Sequence, residues 1–203
     1  IPSEKCDHGT HVAGIAAGND ANDCTINDGV ARGASIIGVQ IFSYFHSQAL
    51  CCDGIYALDS NIIAGLEYVY SLKDFYPIAA VNMSLGGGKF SSQLACDSRS
   101  PSMKAIIDQL RAVNIATLIA SGNDYYGDGI SFPGCISSAI AVGATSDVAE
   151  GAGGIAGKIW SRTNTNFMLD LLAPGYSINS STTNPPNGFT FKSGTSMATP
   201  QVT

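Results

Sequence analysis

Apolar and polar positions along the chain follow two periods. NIIAGLEYVYSLKDF (61–75) places Ile62, Leu66 and Val69 on one face at helical spacing, which predicts an amphipathic helix. SPSMKAIIDQLRAV (100–113) repeats the pattern with Ile106, Leu110 and Val113, and its Ser-Pro opening is a helix start. Between these lie short apolar runs. ASIIGVQIF (34–42), IATLIASGN (115–123) and AIAVGAT (139–145) read as buried strands, and IAAVNMSLGGG (78–88) as a strand running into a glycine loop. EGAGGIAGK (150–158) reads as a loop and STTNPPNG (181–188) as a turn cluster. Strands apolar on both faces and alternating with helices predict an α/β three-layer sandwich, a mostly parallel sheet flanked by helices. In such sheets reactive groups gather beyond the carboxyl ends of the strands. Here those ends carry SLGGG and SGN.

Composition narrows the class. A chain of 203 residues, 45% hydrophobic and 13% charged, fits one domain with a sizeable core. The net charge is -6 and no run of Lys or Arg occurs, which disfavours nucleic acid and anionic membrane as partners. No apolar stretch approaches the ~20 residues that span a bilayer. The six cysteines include no C-x-x-C pair, so a structural zinc site is unsupported. An even count with few charges predicts a secreted, disulfide-bearing protein.

Three polar residues sit where chemistry could be done. His8 heads a segment of small residues, Gly9, Ala13, Gly14, Ala16 and Ala17. Such a segment suits close packing and would hold a general base rigidly. A lone histidine there is more often a cap or core residue. Ser196 heads SMATPQV, where a helix N-terminus would stabilise negative charge beside its oxygen. An N-capping serine is an equal alternative. Pro200 is expected within the first turn, where its missing N–H is harmless. Asn123 follows a buried strand, as an oxyanion donor or as a turn asparagine.

The combination is more specific than its parts. HGTHVAG (8–14) and GTSMATP (194–200), with NMSLGGG, SGN, AVGAT and LLAPG between them in order, resemble the subtilisin-like serine proteases (subtilases) across essentially the whole chain. The resemblance implies a serine endopeptidase working through an acyl-enzyme. Ser196 would be the nucleophile, His8 the general base, and Asn123 with the Ser196 N–H the oxyanion hole. Ser84, Leu85, Gly86 and Gly87 would pair with the substrate backbone as an added strand. Ala120, Ser121, Gly122, Ser131 and Thr195 complete the implied substrate site, with Ser131 at the floor of the pocket for the residue before the cut. No acidic residue is placed there, which suggests an apolar or broad preference. The implied partner is a polypeptide substrate, with a pro-peptide in the parent protein. A monomer is expected.

The chain also departs from the family pattern. The family's triad aspartate, on a strand ahead of the histidine, has no counterpart in residues 1–7. Asp7, adjacent to His8, is not expected to orient the ring. We expect a single catalytic domain truncated at both ends, with the aspartate strand before Ile1 and helices missing after Thr203. Gln201 stands where the family usually has a histidine that only packs. GNDANDCTINDGV (18–30) reads first as a solvated loop. The family also suggests a structural calcium here, with no cofactor needed for catalysis and no metal ligand assigned. Cys96 and Cys135 are expected on loops flanking one pocket and so to pair. Cys6 would bond Cys51 or Cys52, and Cys24 the other. Met197, beside the nucleophile, predicts sensitivity to peroxide. His11 and His46 read as structural or surface residues, and the sequons at Asn82 and Asn179 as weak.

Rival readings fare worse. An α/β-hydrolase needs G-x-S-x-G with its histidine after the serine, and neither occurs. GGGKF and GAGGIAG lack the setting of a phosphate loop. A non-catalytic peptide-binding module of the same fold is the remaining alternative, resting on the missing aspartate alone. Loss of the triad aspartate's orienting role costs ~10⁴ in kcat. The 203-residue span should therefore be nearly inactive on a peptide substrate, and a form extended upstream active. Equal rates from the two would refute the truncation.

Overall fold

In the computed structural model, residues 7–19, 28–45, 54–148, 156–183 and 188–203 are described. Among them the chain runs through α1 (His8–Ala17), β1 (Ser43–Phe45), β2 (Gly54–Tyr56), α2 (Asp59–Ser71), β3 (Ala80–Met83), β4 (Gly87–Phe90), α3 (Gln93–Arg99), α4 (Pro101–Ala112), β5 (Ala116–Ala120), β6 (Ile130–Phe132), β7 (Ile140–Ser146), β8 (Lys158–Ile159), β9 (Leu171–Pro174), β10 (Ile178–Ser181), β11 (Phe189–Lys192) and α5 (Thr195–Val202).

Strands β3, β5, β7 and β9 are parallel neighbours in that order, and β8 pairs antiparallel with the end of β7. Side-chain alternation makes this sheet the middle of three layers. Ile119 and Ala141 join Met83 in a core with Ile62, Leu66 and Val69 of α2 and Met103, Ile106, Ile107 and Leu110 of α4. Their neighbours Leu118 and Val142 face the other way, into a second core with Ala144, Ala173 and Ala198 of α5. Period-2 alternation on a two-sided sheet requires this division. Helix α1 continues the second layer, where Val12 and Ile15 pack on Met197. The predicted α/β three-layer sandwich is the fold observed.

Two boundaries differ from expectation. Residues 34–42 form no strand; the strand begins at Ser43 and pairs antiparallel with β2. An apolar run becomes a strand only where it pairs with a neighbour, and 34–42 pairs with no described strand. Val39 and Ile41 still pack towards α2 opposite Gly65, whereas Ile36 and Ile37 are 53% and 41% exposed. Helix α2 stops at Ser71, and residues after it turn back through Leu72.

Cys96 on α3 is joined to Cys135, just after β6, with Cα atoms 5.9 Å apart and both residues buried. The other four cysteines lie outside the described residues, as do His46 and most of 18–30. The disulfide spans a sequence separation of 39, so chain entropy predicts a contribution of about 4 kcal/mol. Replacing both cysteines by alanine should lower the unfolding free energy by about that amount in a denaturant titration. An unchanged midpoint would assign the stability to core packing alone.

Candidate active site

Helix α5 begins without a capping side chain, because its N-cap is Gly194. The first amides of a helix have no intrahelical partner, and here each has a distinct fate. The Thr195 N–H donates to Asn123 Oδ1 at 2.8 Å. The Met197 N–H returns to the Gly194 carbonyl at 3.0 Å. The Ser196 N–H has no protein acceptor among the described residues. Thr195 Oγ1 also donates to Asn123 Oδ1 at 3.0 Å and accepts the Gly122 N–H at 3.2 Å. Asn123 therefore caps a helix 72 residues away in sequence. With Oδ1 occupied by two donors, its Nδ2 is the group left to bind an incoming acceptor beside the Ser196 N–H.

Pro200 is the sixth residue of α5, well past the first turn where it was expected. Its ring removes the N–H that would have bonded the Ser196 carbonyl. Ser84 fills the gap, its Oγ donating to that carbonyl at 2.8 Å. In return Ser196 Oγ donates to the Ser84 carbonyl at 3.3 Å. The end of β3 is thereby bound to the turn of α5 that carries Ser196. Ser196 is half-buried between buried neighbours. Gln201 Nε2 donates to the Pro174 carbonyl and ties the same helix to β9.

His8 opens α1 and is half-buried. Burial pushes its proton affinity down, the Lys192 ammonium and His11 push the same way, and Asp7 opposes them. The Asp7 carboxylate does not face His8. Its Oδ1 accepts from Lys192 Nζ and its Oδ2 from Thr182 Oγ1, both at 2.7 Å. Burial raises the Asp7 carboxyl, yet these two donors and the Lys192 charge leave it below the usual carboxylate range. His11 is fully buried, with Nε2 at 3.0 Å from the Thr190 carbonyl, as a structural histidine should be.

The implied substrate residues fall into two groups. Ser84 to Gly86 lie outside any strand, and Gly86 and Gly87 are exposed, so this backbone is open to an added strand. Gly87 already pairs on one side with Phe132 of β6. Leu85 is half-buried against the core. Ala120, Ser121, Ser131 and Thr195 are buried. Ser121 and Ser131 are joined by a backbone bond of 2.8 Å, and Ser131 Oγ accepts from Asn164 Nδ2 at 3.2 Å.

Asn164 has no local sequence signal, yet it organises this wall. It is fully buried. Its Oδ1 accepts the N–H groups of Asp124 at 2.7 Å and Tyr126 at 3.2 Å, and its own N–H donates to the Gly122 carbonyl at 2.9 Å. Gly122 must be glycine: its φ is 104° and a Cβ would lie 2.2 Å from both Asn164 Nδ2 and Ser131 Oγ. These bonds hold the turn on which Asn123 sits. Lys192 and Thr182 were likewise invisible from spacing.

Of the loop 18–30, Gly29 donates to the Gly18 carbonyl at 2.8 Å, and Asp28 is paired with Arg32 at 2.9 Å. No group of three or more His, Cys, Asp or Glu side chains among the described residues could hold a metal ion. Met197 is buried between α1 and α5. Asn82 is half-buried with Nδ2 donating to Ser84 Oγ at 3.1 Å, and Asn179 is half-buried on β10.

Known proteins show the same architecture. A solved cold-adapted subtilisin-like serine proteinase superposes with a TM-score of 0.67 at 30% identity, over 97% of this chain and 58% of that one. The "Extracellular serine proteinase" of Thermus sp. (strain Rt41A) is 34% identical over 97% of this chain and 39% of its own length. The "Major intracellular serine protease" of Bacillus subtilis (strain 168) is 32% identical over 96% of this chain and 52% of its own length. The chain thus spans less than two thirds of each of these relatives. A sequence profile of the subtilase family matches residues 1–203, and with the fold and the ordered motifs this places the chain in the subtilase family.

Proposed function

We propose that this protein is a serine endopeptidase that cleaves peptide bonds through an acyl-enzyme. The observation that carries this reading is the capping of α5 by Asn123. It leaves the Ser196 N–H and Asn123 Nδ2 as two donors on either side of Gly194, each 3.6 Å from where a Cβ on that glycine would stand. Ser196 Oγ attacks the scissile carbonyl carbon and its proton passes to His8. Negative charge then develops on the carbonyl oxygen, which the two donors stabilise. They are held in place before substrate arrives, so no reorganisation is needed at that moment. The His8 proton goes next to the leaving amine, and water repeats the sequence on the acyl-enzyme. The depressed proton affinity of His8 favours the neutral ring a general base needs.

The open backbone of residues 84–86 supports a polypeptide substrate bound in extended form. Ser131, with the other walls at 84–88, 120–123 and 131–134, is the proposed surround for the side chain before the cut. Both Asp7 oxygens accept from other donors, so this carboxylate does not orient the His8 ring by a direct hydrogen bond. The Cys96–Cys135 disulfide supports secretion; among relatives, one is named extracellular and another intracellular. No helix of the described residues is long and apolar enough to cross a membrane.

A fluorophosphonate probe should modify the natural protein at Ser196 and lose all labelling in Ser196→Ala. An unlabelled Ser196 would favour a peptide-binding module instead. Asn123→Leu should lower kcat with KM little changed. Removal of one oxyanion donor costs roughly 10²–10³, a magnitude established on subtilisin itself and borrowed here. A change confined to KM would remove Asn123 from the oxyanion hole.

A further inference from the structure

Asp7 is a buried carboxylate that the reaction above leaves unused, 3% exposed and directly before His8. Its ion pair with Lys192 spans 185 residues. Burying an ion pair is not in itself a source of stability, since desolvation offsets much of the attraction. Its location is more informative. Lys192 ends β11, four residues before Ser196. The pair therefore links the residue preceding the base to the strand that feeds the nucleophile.

Other contacts make this link a rigid seam. Thr182 Oγ1 donates to Asp7 at 2.7 Å, Ser180 Oγ to the His11 carbonyl at 2.8 Å, and His11 Nε2 meets the Thr190 carbonyl at 3.0 Å. Gly14 allows the approach, because a Cβ there would lie 2.4 Å from Ser180 Oγ. Both edges of the β10–β11 hairpin are thus bonded to α1.

We propose that Asp7 and Lys192 are positioning residues for His8, their ion pair fixing the start of α1 against β11, the strand that leads to Ser196. The inference rests on His8 being the general base. The charged or titratable groups acting on His8 among the described residues are Asp7 just before α1, His11 on α1 and Lys192 on β11; Thr182, after β10, is neutral. Lys192 disfavours protonation of His8 and Asp7 favours it. Removing one charge should therefore move His8 in the direction opposite to removing the other.

The test compares Asp7→Asn, Lys192→Met and Lys192→Arg. The His8 titration is followed by NMR, assigned from a His8→Gln spectrum, alongside the pH dependence of kcat/KM. Lys192→Met should raise the His8 midpoint and the acid limb of kcat/KM, more at low salt than at 1 M. Asp7→Asn should lower both. Lys192→Arg should keep the parent midpoint. Coincident midpoints in all variants, or shifts of one sign, would overturn the proposal. If Lys192→Met does not fold, the downward shift in Asp7→Asn carries the test alone. Failure of the underlying reading looks different: the acid limb of the parent would not follow the His8 titration, while the midpoint shifts would still report on the pair.

Discussion

Gly194 leaves α5 with no cap of its own, and the helix end it leaves uncapped is buried. An unpaired amide in such a place costs about 1–3 kcal/mol, so the surroundings must supply acceptors. Asn123 supplies one through Oδ1, which accepts from the N–H and the hydroxyl of Thr195. The turn that carries Asn123 depends on Asn164, which gathers the amides of Asp124 and Tyr126 and the carbonyl of Gly122. Ser131 completes the set by accepting from Asn164. One helix end without a cap thus organises segments at 122–126, 131 and 164.

The second constraint is Pro200. Within a helix a proline deprives the carbonyl four residues earlier of its donor, and that carbonyl belongs to Ser196. Ser84 replaces the lost donor. The same residue begins the open backbone proposed to receive substrate. Ser196 and the proposed substrate edge are therefore fixed to each other by a bond that exists because of a helix-breaking residue. On the opposite side, α1 is set against the β10–β11 hairpin through Asp7, His11 and Gly14. His8 and Ser196 each stand on a helix anchored by hydrogen bonds from other elements.

Much of the architecture was legible in the sequence. The faces of α2 and α4 read correctly because burial on a helix repeats every three or four residues, so Ile62, Leu66 and Val69 identify themselves. Strands β3, β5 and β7 read correctly because residues sandwiched between helices are apolar on both faces. The run 34–42 misled for the same reason: its composition suits a strand, but strand formation needs a hydrogen-bonding neighbour that composition does not reveal. Pro200 misled because the start of α5 at Thr195 follows from the Gly194 backbone and the Asn123 cap, neither of which is a local signal. Asn164 sits in a polar stretch, RTNTN, indistinguishable from a surface loop until its partners are known.

The sequence by itself determined the layered α/β plan, the order of the motifs at His8, Asn123 and Ser196, and membership of the subtilase family. These depend on periodicity and on residue identity, which are properties of the chain. Only the tertiary structure decided which acceptor each polar group takes. Asn123 could have been a turn residue, and Asp7 could have faced its neighbour His8. It faces Lys192 instead, and Asn123 caps α5, because a buried donor or carboxylate takes whatever partner the folded chain brings within 3 Å. Those partners lie 185 and 72 residues away, beyond the reach of any local pattern.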